Sequence, residues 1–225
     1  MKTTPILATA LVALAGAGWY ATGGTQTPAL SMAAQAQEAD TASEPVEIRE
    51  MSLGNPDADV TVVEYASYTC PHCRTFHETV FEDLQENYIE PGRINFVYRD
   101  VYFDRYGLWA SMVARCADSE QRFFGISDLI YEQQDEWTQG GPAEIAENLR
   151  TIGRTAGLSD EQLDACLSDS AKAEALVAHY EENAQADNIQ ATPSFVIDGE
   201  TYSNMSYEEF SSIIDDRLGE SGSEG

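Results

Sequence analysis

The sequence predicts an α/β fold with a block of helices inserted into it, and three observations carry that prediction. First, Val60 to Ala66 is a β-branched and aromatic run, and Arg93 to Arg99 alternates with strand period, with helical spacing from Arg74 to about Tyr88 between them. That order gives two parallel strands joined by a right-handed crossover. Second, the pattern from Arg105 to Ala186 is helical, with few strand candidates. Third, strand character returns within Ala191–Glu200, where Asp198-Gly199 reads as a hairpin turn. Thr201-Tyr202 then starts a partner strand, and Tyr207 to Leu218 reads as a closing amphipathic helix.

Taken in order, the chain opens with Met1-Lys2, an apolar stretch from Ile6 through Leu14 to Trp19, and then small residues, the layout of an export signal. Ala34-Gln35-Ala36 is a cleavage motif, so residues 1–36 read as the signal. The apolar run is shorter than the ~20 residues a spanning helix needs, but Gly16 to Ala21 extends it. A cleaved signal and an uncleaved anchor therefore both fit, and either sends the rest to the periplasm, where disulfides persist. Residues 37–55 read as a flexible linker with a first short strand at 46–51.

The main domain is expected over 56–220, with the helical insertion at about 104–187. Leu108, Met112, Val113 and Cys116 share one face, and Phe123, Phe124, Ile126, Leu129 and Ile130 make another apolar set. Gly140-Gly141-Pro142 breaks the chain and Pro142 opens a helix through Ile145 and Leu149. Ser159 caps a helix containing Leu163 and Cys166, and a last helix runs from about Ala171 to Asn188. The block thus has four or five helices. Gly219 to Gly225 reads as a tail, disordered over 221–225.

The 225 residues suit one domain with an ample core. Against 39 acidic residues stand 12 basic ones, a formal net charge of −27, and the only lysines are Lys2 and Lys172. Such a chain repels nucleic acid and anionic lipid. A solvated acidic surface, natural in salty surroundings, accounts for the charge more simply than a dedicated basic partner.

Chemistry concentrates at Cys70-Pro71-His72-Cys73, between the strand ending at Ala66 and the helix that follows. A C-x-x-C so placed is the signature of a thioredoxin-type redox site. Cys70 sits at the helix N-terminus, where unpaired N–H groups favour a thiolate, and it is the expected nucleophile. The two-residue spacer lets Cys73 close a redox disulfide with Cys70 or attack a mixed disulfide on it. His72 can donate a hydrogen bond or positive charge to the thiolate. Glu64, among apolar strand residues, is expected to be partly buried with a raised pKa and to relay protons to and from Cys73. His77 and His179 read as ordinary surface or helix-face histidines. A zinc site would need two ligands beyond Cys70 and Cys73, and Pro71 with the strand–helix setting favours redox use, so no metal is assigned.

Two cysteines remain. Cys116 and Cys166 lie on apolar helix faces, and unpaired thiols in an exported protein risk scrambling, so a structural Cys116–Cys166 disulfide is expected. Two buried free thiols acting as small hydrophobes are the alternative.

These motifs together resemble the DsbA family of exported thiol:disulfide oxidoreductases. The resemblance runs from about residue 55 to 220 and rests on Cys70-Pro71-His72-Cys73, on Glu64, on Thr192-Pro193 before the late strand, and on the place of the helical block. It implies a thioredoxin-like fold with an inserted all-helical domain. It also implies a cis Pro193 beside the active cysteines, exposing the Thr192 backbone to an extended substrate segment. Threonine rather than valine before the proline, and the additional cysteine pair, depart from the best-known family pattern. The implied activity is introduction of disulfides into reduced, unfolded exported proteins, with re-oxidation by a membrane thiol oxidase and without a cofactor, by a monomer. A disulfide isomerase or reductase of the same fold is the runner-up, although such proteins often dimerise through an extra domain for which this chain has no room. An inert binding module on the same frame is disfavoured because both cysteines are present.

Overall fold

The computed structural model describes residues 46–117 and 119–221. The expected signal, the linker through residue 45 and residues 222–225 lie outside the described residues. Among those described, five strands form one mixed sheet: β1 (Met51–Gly54), β2 (Thr61–Ala66), β3 (Asn95–Asp100), β4 (Ser194–Ile197) and β5 (Glu200–Ser203). Their spatial order is β1-β3-β2-β4-β5. β2 and β3 are parallel, with Thr61 opposite Asn95 and Ala66 opposite Asp100. The other neighbours are antiparallel.

The central parallel pair is apolar in sequence because both its faces are covered. Val62 and Ala66 look into the main core, while Tyr65 and Val63 look into a smaller cluster with Val101, Val196, Tyr180 and Ala184. Glu64 shares the β2 face of Val62 and Ala66, so strand alternation turns a carboxylate toward the main core.

From Pro71 to Ile89 the chain is helical without a break, but its winding changes. α1 (Pro71–Phe76) passes into a π turn (His77–Phe81), then α2 (Glu82–Leu84) and a second π turn (Gln85–Ile89). Side chains compete for the backbone here: Thr79 Oγ1 donates to the Thr75 carbonyl at 2.6 Å, and Asn87 Nδ2 to the Asp83 carbonyl at 2.8 Å. Such back-bonding loosens α winding. Glu90 N–H accordingly reaches five residues back to the Gln85 carbonyl at 2.9 Å. The helix is held to the sheet by Phe76 and Phe81 packing against Phe195 and Phe96, with Phe210 of α9 (Tyr207–Ser221) completing the cluster.

Among the described residues six helices lie between β3 and β4: α3 (Arg105–Ala114), α4 (Glu120–Glu132), α5 (Gln134–Trp137), α6 (Pro142–Thr155), α7 (Asp160–Ser168) and α8 (Ser170–Ala186). Asp104 caps α3 by accepting from the Tyr106 and Gly107 N–H groups, and Ser159 with Gln162 forms a capping box on α7. Gly153 lets α6 meet α7, since a Cβ there would lie 2.7 Å from Leu163 Cδ2. This is the α/β frame with a helical insertion that the sequence predicts.

Several boundaries differ from the sequence expectation. The first strand is Met51–Gly54 rather than 46–51, because the Arg49 carbonyl is taken by the Arg115 side chain at 3.0 Å instead of a β3 N–H. β3 starts at Asn95 because Arg93 N–H still bonds back to the Tyr88 carbonyl at 2.9 Å. The block has six helices rather than four or five; α5 is a single turn, too short for periodicity, and it is anchored by buried Gln134 and Trp137. α9 runs through Gly219 to Ser221, since glycine weakens a helix without always ending it.

Candidate active site

Cys70 is the N-cap of α1, with extended backbone angles (φ −89°, ψ 117°), and Pro71 occupies the first helical position, where a missing N–H costs nothing. The loop is clamped from below. Cys70 N–H donates to the Ser67 carbonyl at 3.0 Å. Buried Gln134 of α5 donates through Nε2 to the Tyr68 carbonyl at 2.7 Å and the Cys70 carbonyl at 3.1 Å. Thr69 Oγ1 donates to Asp104, so the same aspartate that caps α3 ties the loop to the helical block. Across the loop the Thr192–Pro193 peptide is cis, and Cys70 Sγ donates to the Thr192 carbonyl at 3.5 Å.

The two sulfurs are unlike. Both are free thiols here; Cys70 retains 8% of its exposure and Cys73 none. The Cys70 pKa falls from 9.0 to about 5, chiefly because the Cys73 thiol donates to its sulfur. Burial opposes the fall, and the Thr192 side chain with the Cys73 and His72 backbone N–H groups adds to it. Cys73 is pushed far up, first by burial, then by its bond to Cys70 and the negative charge of Glu64. One sulfur is thus a ready nucleophile and the other a protonated reserve.

Glu64 is completely buried, and its Oε2 lies 3.0 Å from Nε2 of a buried His77. Glu64 Oε1 and His77 Nδ1 have no hydrogen-bond partner among the described residues. Reading His77 as a surface or helix-face histidine is therefore corrected. It falls four residues after Cys73, on the same helix face and above the strand that holds Glu64. His179 is half-buried and pairs with Glu50 at 3.0 Å. The His72 ring is exposed and, among the described residues, makes no hydrogen bond; its backbone N–H reaches Cys70.

A model of the thioredoxin family matches residues 47–216. The chain belongs to the DsbA-like thioredoxin family. Over 176 residues it is 36% identical to a protein assigned as a protein-disulfide oxidoreductase in Rickettsia bellii, covering 78% of this chain and 67% of that one. It therefore spans about two-thirds of that relative's length. To disulfide bond formation protein D of Bacillus subtilis it is 27% identical, over 74% of this chain and 76% of the relative. The crystal structure of Wolbachia pipientis alpha-DsbA1 superposes with a TM-score of 0.71 at 24% identity, covering 78% of this chain and 94% of that one, and so shares the fold. The thioredoxin-like frame with its helical insertion is the DsbA-like architecture.

In DsbA-like terms, the structure brings Cys70, Cys73, Glu64, Thr192 and Pro193 into one site. Cys116 and Cys166 lie elsewhere, bridged between the end of α3 and α7 with Cα atoms 5.8 Å apart, within ordinary disulfide range. Two residues of the site escape a sequence reading. Gln134 carries no signal in sequence, because its role depends on where a one-turn helix lands. His77 does carry one, its four-residue spacing from Cys73.

Proposed function

We propose that this chain works as an oxidant, introducing disulfides into reduced, unfolded exported proteins through a mixed disulfide on Cys70. The observation that carries this reading is the split between the sulfurs, with Cys70 held at about 5 and Cys73 pushed far up. A stabilised thiolate favours the reduced pair, which makes the Cys70–Cys73 disulfide a strong electron acceptor. The Thr192 carbonyl beside Cys70 offers backbone to an extended substrate segment. Phe103, 60% exposed next to Asp104, adds an apolar contact suited to an unfolded chain.

The two cysteines carry both electrons, so the cycle needs no cofactor, and a membrane thiol oxidase restores the disulfide. The apolar N-terminal stretch supports export to the periplasm, and the chain acts as a monomer. The test is the reduction potential of the Cys70–Cys73 pair by equilibration with glutathione. The expected value lies well above the about −270 mV of thioredoxin and toward the about −120 mV of the strong oxidant in this class. A value near −270 mV would turn the reading to a reductase.

A further inference from the structure

Beneath the active helix lies a cavity of about 750 Å³ whose lining includes six carboxylates but not Cys70, Thr192 or Pro193. His77 forms part of its wall. The ring is 6% exposed, stacks on Tyr131 with centroids 4.3 Å apart, and faces Tyr98 edge-on at 6.1 Å. One ring nitrogen meets Glu64 and the other is unpartnered. His77 also begins the first π turn, a local winding that recurs at functional positions.

We propose that His77 carries protons between the buried Glu64 and this acid-lined cavity, so that Cys73 gains and loses its proton by a route separate from the substrate side. The proposal rests on the exchange reading above and adds the path that reading lacks. Cys73 and Glu64 are both fully buried, so a proton delivered to the sulfur has to be replaced through the protein interior. The Glu64–His77 hydrogen bond holds one transferable proton, and Nδ1 takes up its replacement.

In the first half-reaction a substrate thiolate attacks Cys70 Sγ. The substrate–Cys70 bond forms, the Cys70–Cys73 bond breaks, and the electron pair leaves on Cys73, which takes the proton through Glu64. The substrate's second thiolate then attacks the substrate sulfur of the mixed disulfide, and Cys70 leaves as a thiolate. The substrate sulfurs lose two electrons and the cysteine pair gains two. Of the two substrate protons, one is made up on Cys73 and the other stays in solvent. Re-oxidation runs the relay backwards, removing the Cys73 proton as that sulfur attacks.

The charges around the ring suit the task. Glu78, Glu82, Glu86 and Glu90 come from its own helical segment, and Asp128 and Glu132 from α4. Burial raises Asp128 above the usual carboxylate range, with His77 pulling the other way. Burial also keeps Tyr98 and Tyr131 protonated. Glu64 faces the ring from β2.

The test mixes the oxidised full chain with reduced glutathione and follows cleavage of the Cys70–Cys73 disulfide, per glutathione thiolate, from pH 5 to 8. His77→Gln keeps an N–H donor for Glu64 but cannot pass a proton. It is expected to slow cleavage at least tenfold and flatten the pH profile, with the Cys70 titration unmoved. His77→Gly opens space next to the cavity, and added imidazole is expected to restore its rate. A His77→Gln profile matching the wild type at every pH would overturn the relay alone. So would a loss that imidazole leaves unrestored and that comes with a shifted Cys70 titration, because that pattern marks a structural residue. No exchange by the wild-type chain would overturn the exchange reading and the relay with it.

Discussion

At Cys70 desolvation works against a thiolate, and the donors gathered round the sulfur work for it. Of these, the Thr192 hydroxyl is buried without another partner, so it is free to turn to the thiolate. A hydrogen bond to a charged group contributes about 1.5–3 kcal/mol, which corresponds to about one to two pKa units. Thr192→Val should therefore raise the Cys70 pKa by about that much in a titration of thiolate absorbance. His72→Ala should move it less, because the exposed ring is screened by solvent and the backbone N–H survives. A larger shift in His72→Ala would assign the tuning to the imidazole. The linkage has a definite sign. The folded pKa, about 5, lies below the ordinary 9.0, so the stabilisation of the reduced form is complete above pH 9 and is lost as pH falls toward 5. The gap in melting temperature between reduced and oxidised protein should narrow over that window. Cys70, Pro71 and Cys73 were legible because their chemistry depends on neighbours in sequence. The Glu64–His77 pair was half legible: alternation along β2 marks Glu64, but only the packing of helix on strand turns His77 inward.

At the scale of elements, the helical block depends on how its ends are tied. Arg115, just past α3, is buried in an ion pair with Asp100 of β3 at 2.8 Å and also takes the Arg49 carbonyl. Lys172 of α8 donates to the Arg115 carbonyl at 3.0 Å. Between these anchors Cys116 is bridged to Cys166 of α7, closing a separation of 50 residues. A loop of that length stabilises by roughly 3–4 kcal/mol on the chain-entropy account. With Cys70 and Cys73 both changed to serine, the denatured, unreduced protein should show no free thiols and run as a monomer on a non-reducing gel. Two free thiols would refute the bridge. Its selective reduction should lower the unfolding free energy by about that amount without moving the Cys70 titration, since the Cys70 shift is set by Cys73, burial, Thr192 and the His72 backbone. The apolar faces of these helices could be read from periodicity. The single turn of α5 and the shifted first strand could not, because long-range bonds from Gln134 and Arg115 decide them.

For the molecule as a whole, charge is the property that composition states and folding leaves largely unanswered. With 39 acidic and 12 basic residues, one-to-one pairing leaves at least 27 carboxylates without a basic partner. Many of the pairs that do form are exposed, such as Arg154–Glu147 at 2.6 Å and Arg93–Asp215 at 3.0 Å, and pairs of that kind contribute little. The excess carboxylates repel one another and oppose the compact state. The screening length falls from about 30 Å at 0.01 M salt to about 3 Å at 1 M, which removes this repulsion while weakening only modest attractions. The melting temperature should therefore rise by a few degrees between those concentrations of sodium chloride, corresponding to about 1–2 kcal/mol for a chain of this size. Scanning calorimetry on the oxidised protein at pH 7 measures it with the redox state fixed. A fall with salt would mean that the ion pairs outweigh the repulsion and that the acidic surface serves a purpose other than life in salty surroundings.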